Sequence, residues 1–250
     1  MLYKYRKLYS KKDKKNEFNM HTMAILKENK IYIPSYEELN DPWEKIIEIP
    51  PYKSYTKSEE MELLKIDNEA SKLGFYGCNS FGKGILKDQN ELDSSISDFN
   101  NIMYEKSDWG IFSMSMLNDS LLLWAHYGDE HRGICIGFNK EAFLNTDNVI
   151  KVKYRKKIPS INPKRVYRRP EKQYFGNKHF AWSYEKEYRY LHPESSVEIT
   201  SPANINSIFL GMRVDDEIVE RIRCEFSKKY TIYKAIMDKS SYRINYTEIT

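Results

Sequence analysis

The sequence predicts an α+β fold in a single domain over residues 1–250, with mixed or antiparallel sheets. Helix and strand patterns follow one another without a regular βαβ rhythm, which disfavours a doubly wound parallel sheet. No internal repeat or low-complexity linker divides the chain. Its 250 residues, of which 14% are aromatic, provide enough apolar surface for a sizeable core and argue against disorder.

The first half of the sequence begins with a strand and a helix. Leu2–Arg6 alternates apolar and basic residues around two tyrosines, a pattern typical of a strand. Glu17–Glu28 places apolar residues on one helical face, and Asn29 can end that helix. A strand over Ile31–Pro34 and a turn at Asn40–Pro42 follow, since Asx side chains and proline favour turns. Periodicity then predicts helices over Lys57–Leu73 and Leu92–Met103 and a strand over Phe75–Phe81.

The second half is predicted to be richer in strands, because it contains many short runs of apolar, β-branched or aromatic residues. Two helices, over Ser120–Tyr127 and Asp215–Lys228, and a long basic loop around Ile158–Pro170 interrupt them. The predicted strands are Gly110–Met116, Gly133–Phe138, Val149–Tyr154, Ile205–Leu210, Tyr230–Met237 and Tyr242–Glu248, and Trp182–Leu191 is predicted to be a strand or the entry to one.

The composition excludes several classes of protein. No apolar run approaches the roughly 18 residues that a membrane-spanning helix needs. The polar and basic segment Met1–Leu8 is not followed by the apolar segment of a secretory signal. Three cysteines, Cys78, Cys135 and Cys224, form neither a metal-binding spacing nor a disulfide framework. We therefore expect a cytoplasmic protein with buried, reduced thiols and no membrane partner.

Positive charge is concentrated in two segments, although the net charge of the chain is only +4. Residues 1–15 carry a net charge of +6 and residues 151–189 a net charge of +10, so the rest of the chain is acidic. Such segments indicate a positive surface for an anion, which can be a dinucleotide, a nucleic acid or an acidic protein. The alternative is a solvated face on which lysine serves only solubility.

Two glutamates, Glu185 and Glu187, are the candidates for a catalytic site. If residues 182–191 form one strand, both carboxylates lie on the same face, because side chains repeat every two residues. Paired carboxylates beside Tyr and Arg can bind a ribose and stabilise a cationic transition state. The alternative is a solvated strand face, although the apolar flanks of this segment indicate partial burial.

Two other predicted strands carry candidate ligand-binding residues. Ser113 and Ser115 share one strand face by the same rule, and their hydroxyls can hydrogen-bond a sugar or an amide. The alternative is that both are small residues packed beneath a neighbouring element. On the first strand, Tyr5 precedes Arg6, whose planar fork of donors can clamp a diphosphate. The alternative for this arginine is an ordinary exposed side chain.

A helix end rich in aromatic and imidazole groups can line a nucleotide pocket. Trp124, His126 and Tyr127 lie at this end, and His131 follows shortly after. The two histidines are five residues apart and do not share a helical face, and no cysteine or carboxylate completes a ligand set. We therefore expect no metal here. The alternative is a packed tryptophan with a histidine at the helix end.

Taken together, these segments resemble the bacterial domain-of-unknown-function family 2971. The matching segments, in family order, are Leu2–Arg6, Asn40–Glu44, Trp124–Tyr127 with His131 and Gly133, and Trp182 with Tyr184–Arg189. Ile208–Gly211 and Tyr233–Met237 fit the closing strands of the family. The family label itself implies no activity.

A looser resemblance, to the Arg–Ser–Glu class of ADP-ribosyltransferases, implies an activity and a fold in which the sheets lie around a cleft. The chain has, in the order of that class, an early-strand arginine, a Ser-x-Ser strand and a Glu-x-Glu strand. The resemblance implies that Arg6 orients NAD and that Ser113 or Ser115 supports the nicotinamide pocket. It also implies that Glu187 binds the ribose while nicotinamide leaves and that Glu185 positions the acceptor. A methionine stands where the class has a threonine between its serines, which leaves the choice of serine open.

The expected function is therefore that of an NAD-dependent ADP-ribosyltransferase or NAD glycohydrolase. NAD is its expected substrate, the acceptor is an unknown protein or nucleic acid, and the superfamily often supplies toxins and phage-defence effectors. Two alternatives stay open. Aromatic residues interleaved in the basic segment 151–189 favour a nucleic-acid-binding protein, and a non-catalytic NAD- or nucleotide-sensing module would keep the pocket without turnover. The residues expected on the dinucleotide side of the pocket are Tyr5, Arg6, Ser113, Ser115, Trp124, His126, Tyr127 and His131.

Overall fold

The fold is seen in a computed structural model that describes residues 1–10, 17–45, 108–159, 172 and 174–249. The chain divides into two compact units. The first comprises residues 1–38, 109–151 and 183–250, and the second comprises residues 39–108 and 152–182. The predicted mixture of helices and strands is confirmed, and the structure contains a large mixed sheet.

The secondary structure consists mainly of short elements. The described strands are β1 (Leu2–Arg6), β2 (Lys30–Ile33), β3 (Gly110–Ser115), β4 (Ile134–Phe138), β5 (Val149–Lys151), β6 (Lys153–Arg155), β7 (Asn177–His179), β8 (Glu187–His192), β9 (Val197–Thr200), β10 (Ile205–Leu210), β11 (Thr231–Met237) and β12 (Ile244–Glu248). The described α-helices are α1 (Met20–Glu28), α2 (Leu121–His126), α3 (Lys140–Leu144) and α4 (Asp216–Phe226). Short 3-10 helices span Tyr36–Glu38, Pro42–Lys45 and Phe180–Glu185.

The first unit is built on an eight-stranded sheet with the strand order β12-β11-β10-β4-β1-β3-β8-β5. All neighbours are antiparallel except β10 and β11, which run parallel. Tyr3 of β1 lies opposite Ser115 of β3, and Ser115 lies opposite Glu187 of β8. The three strands that carry the predicted site are therefore direct neighbours.

Alternation along β1 divides its side chains between the two faces of this sheet. Leu2 joins a large apolar core that includes Phe138 and Ile208 and to which α1, α3 and α4 contribute. Tyr5, of opposite parity, joins a second core with Trp124 of α2. Each fully buried apolar side chain contributes roughly 1.5–3 kcal/mol, so these two cores fix the sheet from both faces.

Local contacts cap the ends of α1 and the start of α2. Asn19 accepts a hydrogen bond from the Thr22 backbone N–H at 3.1 Å at the start of α1. Asn29 ends that helix in the left-handed conformation, with φ 53°, as predicted. Ser120 accepts from the Leu123 backbone N–H at 3.3 Å at the start of α2. These contacts satisfy backbone groups that a helix end leaves without partners.

A two-stranded antiparallel sheet of β2 and β9 also belongs to the first unit. The described part of the second unit contains the Pro42–Lys45 helix and the parallel pair β6 and β7. The short elements β7, β9 and α3 have no counterpart among the elements predicted from the sequence.

The structure corrects the strand predicted over Trp182–Leu191. Phe180–Glu185 is a 3-10 helix, Lys186 has a left-handed backbone with φ 47°, and β8 begins only at Glu187. The strand predicted over Val149–Tyr154 is likewise divided, into β5 and β6, which pair with different strands. Aromatic and apolar content fits strands and short helical turns equally well, so periodicity alone cannot place these boundaries.

Further expectations differ in outcome. Among the described residues, the sheets are one of eight strands and two of two strands, where the prediction was of mixed or antiparallel sheets around a cleft. Cys135 is buried as expected, whereas Cys224 is exposed. Within the described ranges, no helix is long and apolar enough to cross a membrane. The predictions that lie outside the described residues are Lys57–Leu73, Phe75–Phe81, Cys78, Leu92–Met103 and most of the loop around Ile158–Pro170.

Candidate functional site

The paired strands β3 and β8 bring four of the polar side chains together. Ser113 lies opposite Arg189, and Ser115 lies opposite Glu187. Directly opposed residues of antiparallel strands point to the same face, so these side chains share one face of the sheet. Ser115, Glu187 and Arg189 are all buried. We call the set Ser115, Tyr127, Glu185, Glu187 and Arg189 the carboxylate cluster.

Arg189 holds the Glu187 carboxylate with two hydrogen bonds. Its Nε donates to Oε1 at 2.8 Å, and its Nη2 donates to Oε2 at 3.0 Å. The two side chains are only 1% and 5% exposed. Bidentate pairing fixes the orientation of the carboxylate and compensates its charge. The sequence analysis does not single out Arg189, although its spacing of two from Glu187 on a strand was the available signal.

Glu185 lies in the 3-10 helix before β8, not on the strand with Glu187. Its Oε1 accepts a hydrogen bond from the Tyr127 hydroxyl at 2.7 Å. Its backbone carbonyl accepts from Ser115 Oγ at 2.6 Å, and the same Oγ accepts from the Leu117 N–H at 3.0 Å. Ser115 therefore fixes the position of the Glu185 backbone, while Tyr127 orients the Glu185 carboxylate.

Tyr127, whose hydroxyl contacts the Glu185 carboxylate, belongs to a group of three neighbouring rings. The His126 ring centroid is 6.2 Å from that of Tyr127 and 6.3 Å from that of Tyr184. His126 is exposed, and both tyrosines are half-buried. Partly exposed rings next to a fixed carboxylate can hold a planar ligand by stacking. We call these three residues the aromatic rim.

Arg6 does not lie with the carboxylate cluster. Tyr3 lies opposite Ser115, and Arg6, three positions further along β1, points to the other face of the sheet. Its Nη2 donates to Asn19 Oδ1 at 3.3 Å, and its Nε donates to Thr22 Oγ1 at 3.4 Å. Burial lowers the pKa of the guanidinium. Arg6 thus ties β1 to the start of α1, and the convergence expected for it with the serines and glutamates is absent.

The structure places Tyr5 and Trp124 in the core. Trp124 is fully buried, its ring packs edge-on against Tyr5 at 5.2 Å, and its indole N–H donates to the Asn118 carbonyl at 2.9 Å. The Tyr5 hydroxyl donates to the Leu117 carbonyl at 3.0 Å. Both polar tips are satisfied inside the protein, so these two residues support the site from beneath.

His131 lies in a loop of uncommon backbone geometry between α2 and β4. Asp129, Glu130 and His131 are three consecutive left-handed residues, with φ of 50°, 54° and 69°. This conformation costs roughly 1–2 kcal/mol for each non-glycine residue. The His131 ring stacks on Trp124 with a centroid distance of 6.1 Å, and burial, assisted by Arg213, lowers its pKa. His131 therefore packs on the core.

Lys4, a half-buried lysine of β1, is not among the residues predicted for the site. Its Nζ donates to the Ser113 carbonyl at 2.8 Å and lies 4.6 Å from the Phe112 ring centroid. Burial lowers its pKa to about 7, Arg6 adds to this effect, and Glu187 opposes it. A lysine at an alternating position of a central strand was the available signal.

Residues 123–190 match the model of a family described as a protein of unknown function (DUF2971). The match covers about a quarter of the chain and includes two of the resembling segments, Trp124–Tyr127 and Tyr184–Arg189. It supports the domain-of-unknown-function family. No curated protein and no solved structure matches the chain.

Proposed function

We propose that this chain is an ADP-ribosyltransferase-like protein that cleaves the nicotinamide glycosidic bond of NAD. One observation carries the proposal. Ser115 and Glu187, taken from separate motifs, lie opposite each other on adjacent strands, and the backbone of Glu185 is hydrogen-bonded to the same serine. Independent motifs that pair directly in the sheet support a common site.

The proposed reaction breaks the bond between the ribose C1′ and the nicotinamide nitrogen. The bonding electron pair leaves with the nitrogen, so neutral nicotinamide departs and the ribose becomes an oxocarbenium ion. An acceptor, or water in hydrolysis, then donates a lone pair to C1′ and loses a proton. A carboxylate fixed before the reaction stabilises the developing cation without reorganisation.

The two glutamates have different surroundings and therefore different proposed roles. Glu187 is buried and held by Arg189, which suits a fixed carboxylate beneath the ribose. Glu185 is oriented by Tyr127 next to the aromatic rim, which suits a role in positioning the acceptor. The rim offers ring faces for the planar nicotinamide. Arg6 has no role in this scheme, because its contacts are with the start of α1.

A toxin or phage-defence role belongs to this proposal as its biological extension, because loss of NAD or modification of an essential acceptor impairs a cell. It also requires a compartment that contains NAD, which agrees with the expected cytoplasmic location. The acceptor remains a protein or a nucleic acid.

A second candidate function is a module that binds NAD or another nucleotide without turnover. The bidentate contact from Arg189 favours it, because a compensated carboxylate stabilises a cationic transition state less than a free one does. The two candidates differ in one observable property, the release of nicotinamide.

The test is a nicotinamide-release assay with NAD, with and without protein and nucleic-acid acceptors. We expect Glu187→Gln to lower the rate by roughly a hundred-fold or more while NAD affinity changes little, because the charge acts chiefly in the transition state. Glu185→Gln should lower transfer to an acceptor more than hydrolysis. Glu217→Gln, on the exposed first turn of α4, is the matched control and should react as the wild type does.

Each outcome of this assay decides between the candidates. Binding of NAD without nicotinamide release under any acceptor condition favours the sensing module. Equal rates of nicotinamide release by Glu187→Gln and the wild type would show that the Glu187 carboxylate takes no part in the reaction. Each variant is assayed below its own unfolding temperature, measured by circular dichroism.

A further inference from the structure

A cavity of about 560 Å³ lies within the second unit. Its lining comes from the Pro42–Lys45 helix, from β6 and the residues after it, and from β7 and the residues that follow. This volume is in the range of roughly 300–1,000 Å³ that small-molecule sites occupy. None of the residues expected to bind NAD lines it, so it is a separate feature of the molecule.

A buried carboxylate faces this cavity. Asp41 is 4% exposed, and its Oδ1 accepts a hydrogen bond from the Trp43 backbone N–H at 3.0 Å. Within the described part of the chain, its buried Oδ2 has no hydrogen-bond partner. Buried polar atoms in native proteins are almost always paired, so this oxygen indicates a ligand that brings an N–H or O–H donor.

The neighbouring lysine is engaged with a different carboxylate. Lys178 Nζ lies 3.2 Å from Glu44 Oε1, and the two side chains are 4% and 1% exposed. The same Nζ lies 4.9 Å from the Trp182 ring centroid. Lys178 and Glu44 compensate each other, which leaves the Asp41 carboxylate to be matched by a ligand.

The exposed part of the lining is basic and aromatic. Arg155, Lys156 and Lys157 are three consecutive exposed cations on the cavity lining. Trp43 is 67% exposed on the same lining. Clustered cations attract an anion, and an exposed indole offers a face for a planar ring.

We propose that this cavity binds a nucleoside phosphate, independently of the activity proposed for the first unit. A nucleobase provides both the N–H donors that the Asp41 oxygen lacks and a ring that stacks on Trp43. The phosphate provides the negative charge for Lys156 and Lys157. One ligand thus meets all three requirements of the lining.

Other ligands meet only some of these requirements. A metal cation is repelled by the three exposed basic residues, and the described residues contain no group of three or more His, Cys, Asp or Glu that could hold one. An acidic peptide matches the basic residues but brings further negative charge to Asp41. A basic peptide matches Asp41 and is repelled by the lysines.

The experiment is a calorimetric titration of the full-length protein with AMP, GMP, CMP and UMP and with the corresponding nucleosides. We expect at least one monophosphate to bind with a Kd below about 1 mM, and its nucleoside to bind about ten-fold more weakly or worse. Failure of all four monophosphates to bind in this range overturns the proposal. Binding of a short single-stranded oligonucleotide in the absence of mononucleotide binding overturns it too, because the ligand is then a polymer backbone.

Variants locate the bound nucleotide. Asp41→Asn keeps the acceptor at Oδ1 and replaces Oδ2 with a donor, so we expect binding about ten-fold weaker or worse. Trp43→Leu should weaken binding by about ten-fold through lost stacking. Tyr242→Leu, which removes an aromatic ring that is 96% exposed in the first unit, is the control and should bind as the wild type does.

Charge is tested with matched double variants. The double variant Lys156→Ser and Lys157→Ser should bind the monophosphate more weakly than the wild type does, and should bind the nucleoside equally well. Lys228→Ser with Lys229→Ser removes the same charge from exposed positions in the first unit and should leave both unchanged.

The outcomes remain decisive even if one variant does not fold. Because Trp43 is largely exposed, Trp43→Leu tests the site if Asp41→Asn fails to fold. Unchanged affinity in both Trp43→Leu and the Lys156 and Lys157 double variant places the nucleotide elsewhere and overturns the proposal. The monophosphates contain no nicotinamide, so this result and the outcome of the NAD assay are independent.

Discussion

Removal of either partner of the Glu187–Arg189 pair should strongly destabilise the protein. Both side chains are almost completely buried and joined by two hydrogen bonds, of 2.8 and 3.0 Å. Glu187→Gln removes the carboxylate that accepts both guanidinium hydrogen bonds, and Arg189→Met removes the two donors to that carboxylate. A buried charge without its partner costs about 3–5 kcal/mol. For a chain of this length, that corresponds to a loss of roughly 6–20 °C in Tm.

The assay is urea unfolding at pH 7 of the wild type, both single variants and the double variant, followed by circular dichroism. In the double variant both charges of this pair are removed together, so its loss of unfolding free energy should be smaller than the sum of the two single losses. Glu220→Gln is the control. Its pair with Arg223 is 59% and 43% exposed, and its removal should change stability by less than about 1 kcal/mol.

The expected coupling between Glu187 and Arg189 is refuted if their losses of unfolding free energy are additive. If the two single losses add up to the loss in the double variant, the side chains have no energetic coupling in the folded protein. A Glu187→Gln variant as stable as the wild type refutes it as well, because loss of the charged partner of Arg189 is then without cost. Either result also weakens the proposed use of Glu187 as a fixed carboxylate.

Three further predictions follow from the site geometry. Arg6→Ala should lower the unfolding free energy by about 1–3 kcal/mol and leave ligand affinity unchanged, because its guanidinium donates to side chains at the start of α1. Ser115→Ala should lower the unfolding free energy by about 1–3 kcal/mol, because the Glu185 carbonyl and the Leu117 N–H each lose a hydrogen bond. Ser113→Ala is the control and should lower it less; both variants are measured by urea unfolding. Burial lowers the pKa of Lys4 to about 7 from the ordinary value near 10.5, so between these values the unfolded chain binds the proton that the folded chain has released. Stability should therefore rise as the pH increases from about 7 towards 10, and Lys4→Met should reduce that rise in unfolding curves measured across the range; an unchanged slope contradicts the assignment.

Much of the fold of the first unit could be predicted from periodicity. The strand Ile205–Leu210 and the strand Leu2–Arg6 agree with the prediction at both ends. Both strands lie inside the sheet and contribute apolar or aromatic side chains to both cores, which makes them recognisable in the sequence. The end of α1 at Asn29 was also predictable, because the residue has a local conformational reason to stop a helix.

The site was predictable in its residue types but not in its geometry. Which side chains share a face depends on strand register, and register is fixed by long-range packing that no local pattern contains. Arg6 and Glu187 illustrate this, because both were candidates for one cleft and lie on opposite faces of the sheet. Ser115 and Glu187, in contrast, were candidates for one site and do lie opposite each other. Their pairing follows only from the order of the strands in the sheet.

The left-handed residue Lys186 explains why the two glutamates differ although they are only two positions apart. A continuous strand would place Glu185 and Glu187 side by side with similar surroundings. The backbone turn at Lys186 instead ends the 3-10 helix and starts β8, so Glu185 meets the Tyr127 hydroxyl while Glu187 meets Arg189. Two carboxylates with distinct partners can take distinct roles in one reaction. In the proposed transfer reaction, the buried Glu187 carboxylate would act on the bound donor and the Glu185 carboxylate, held by Tyr127, would act on the acceptor.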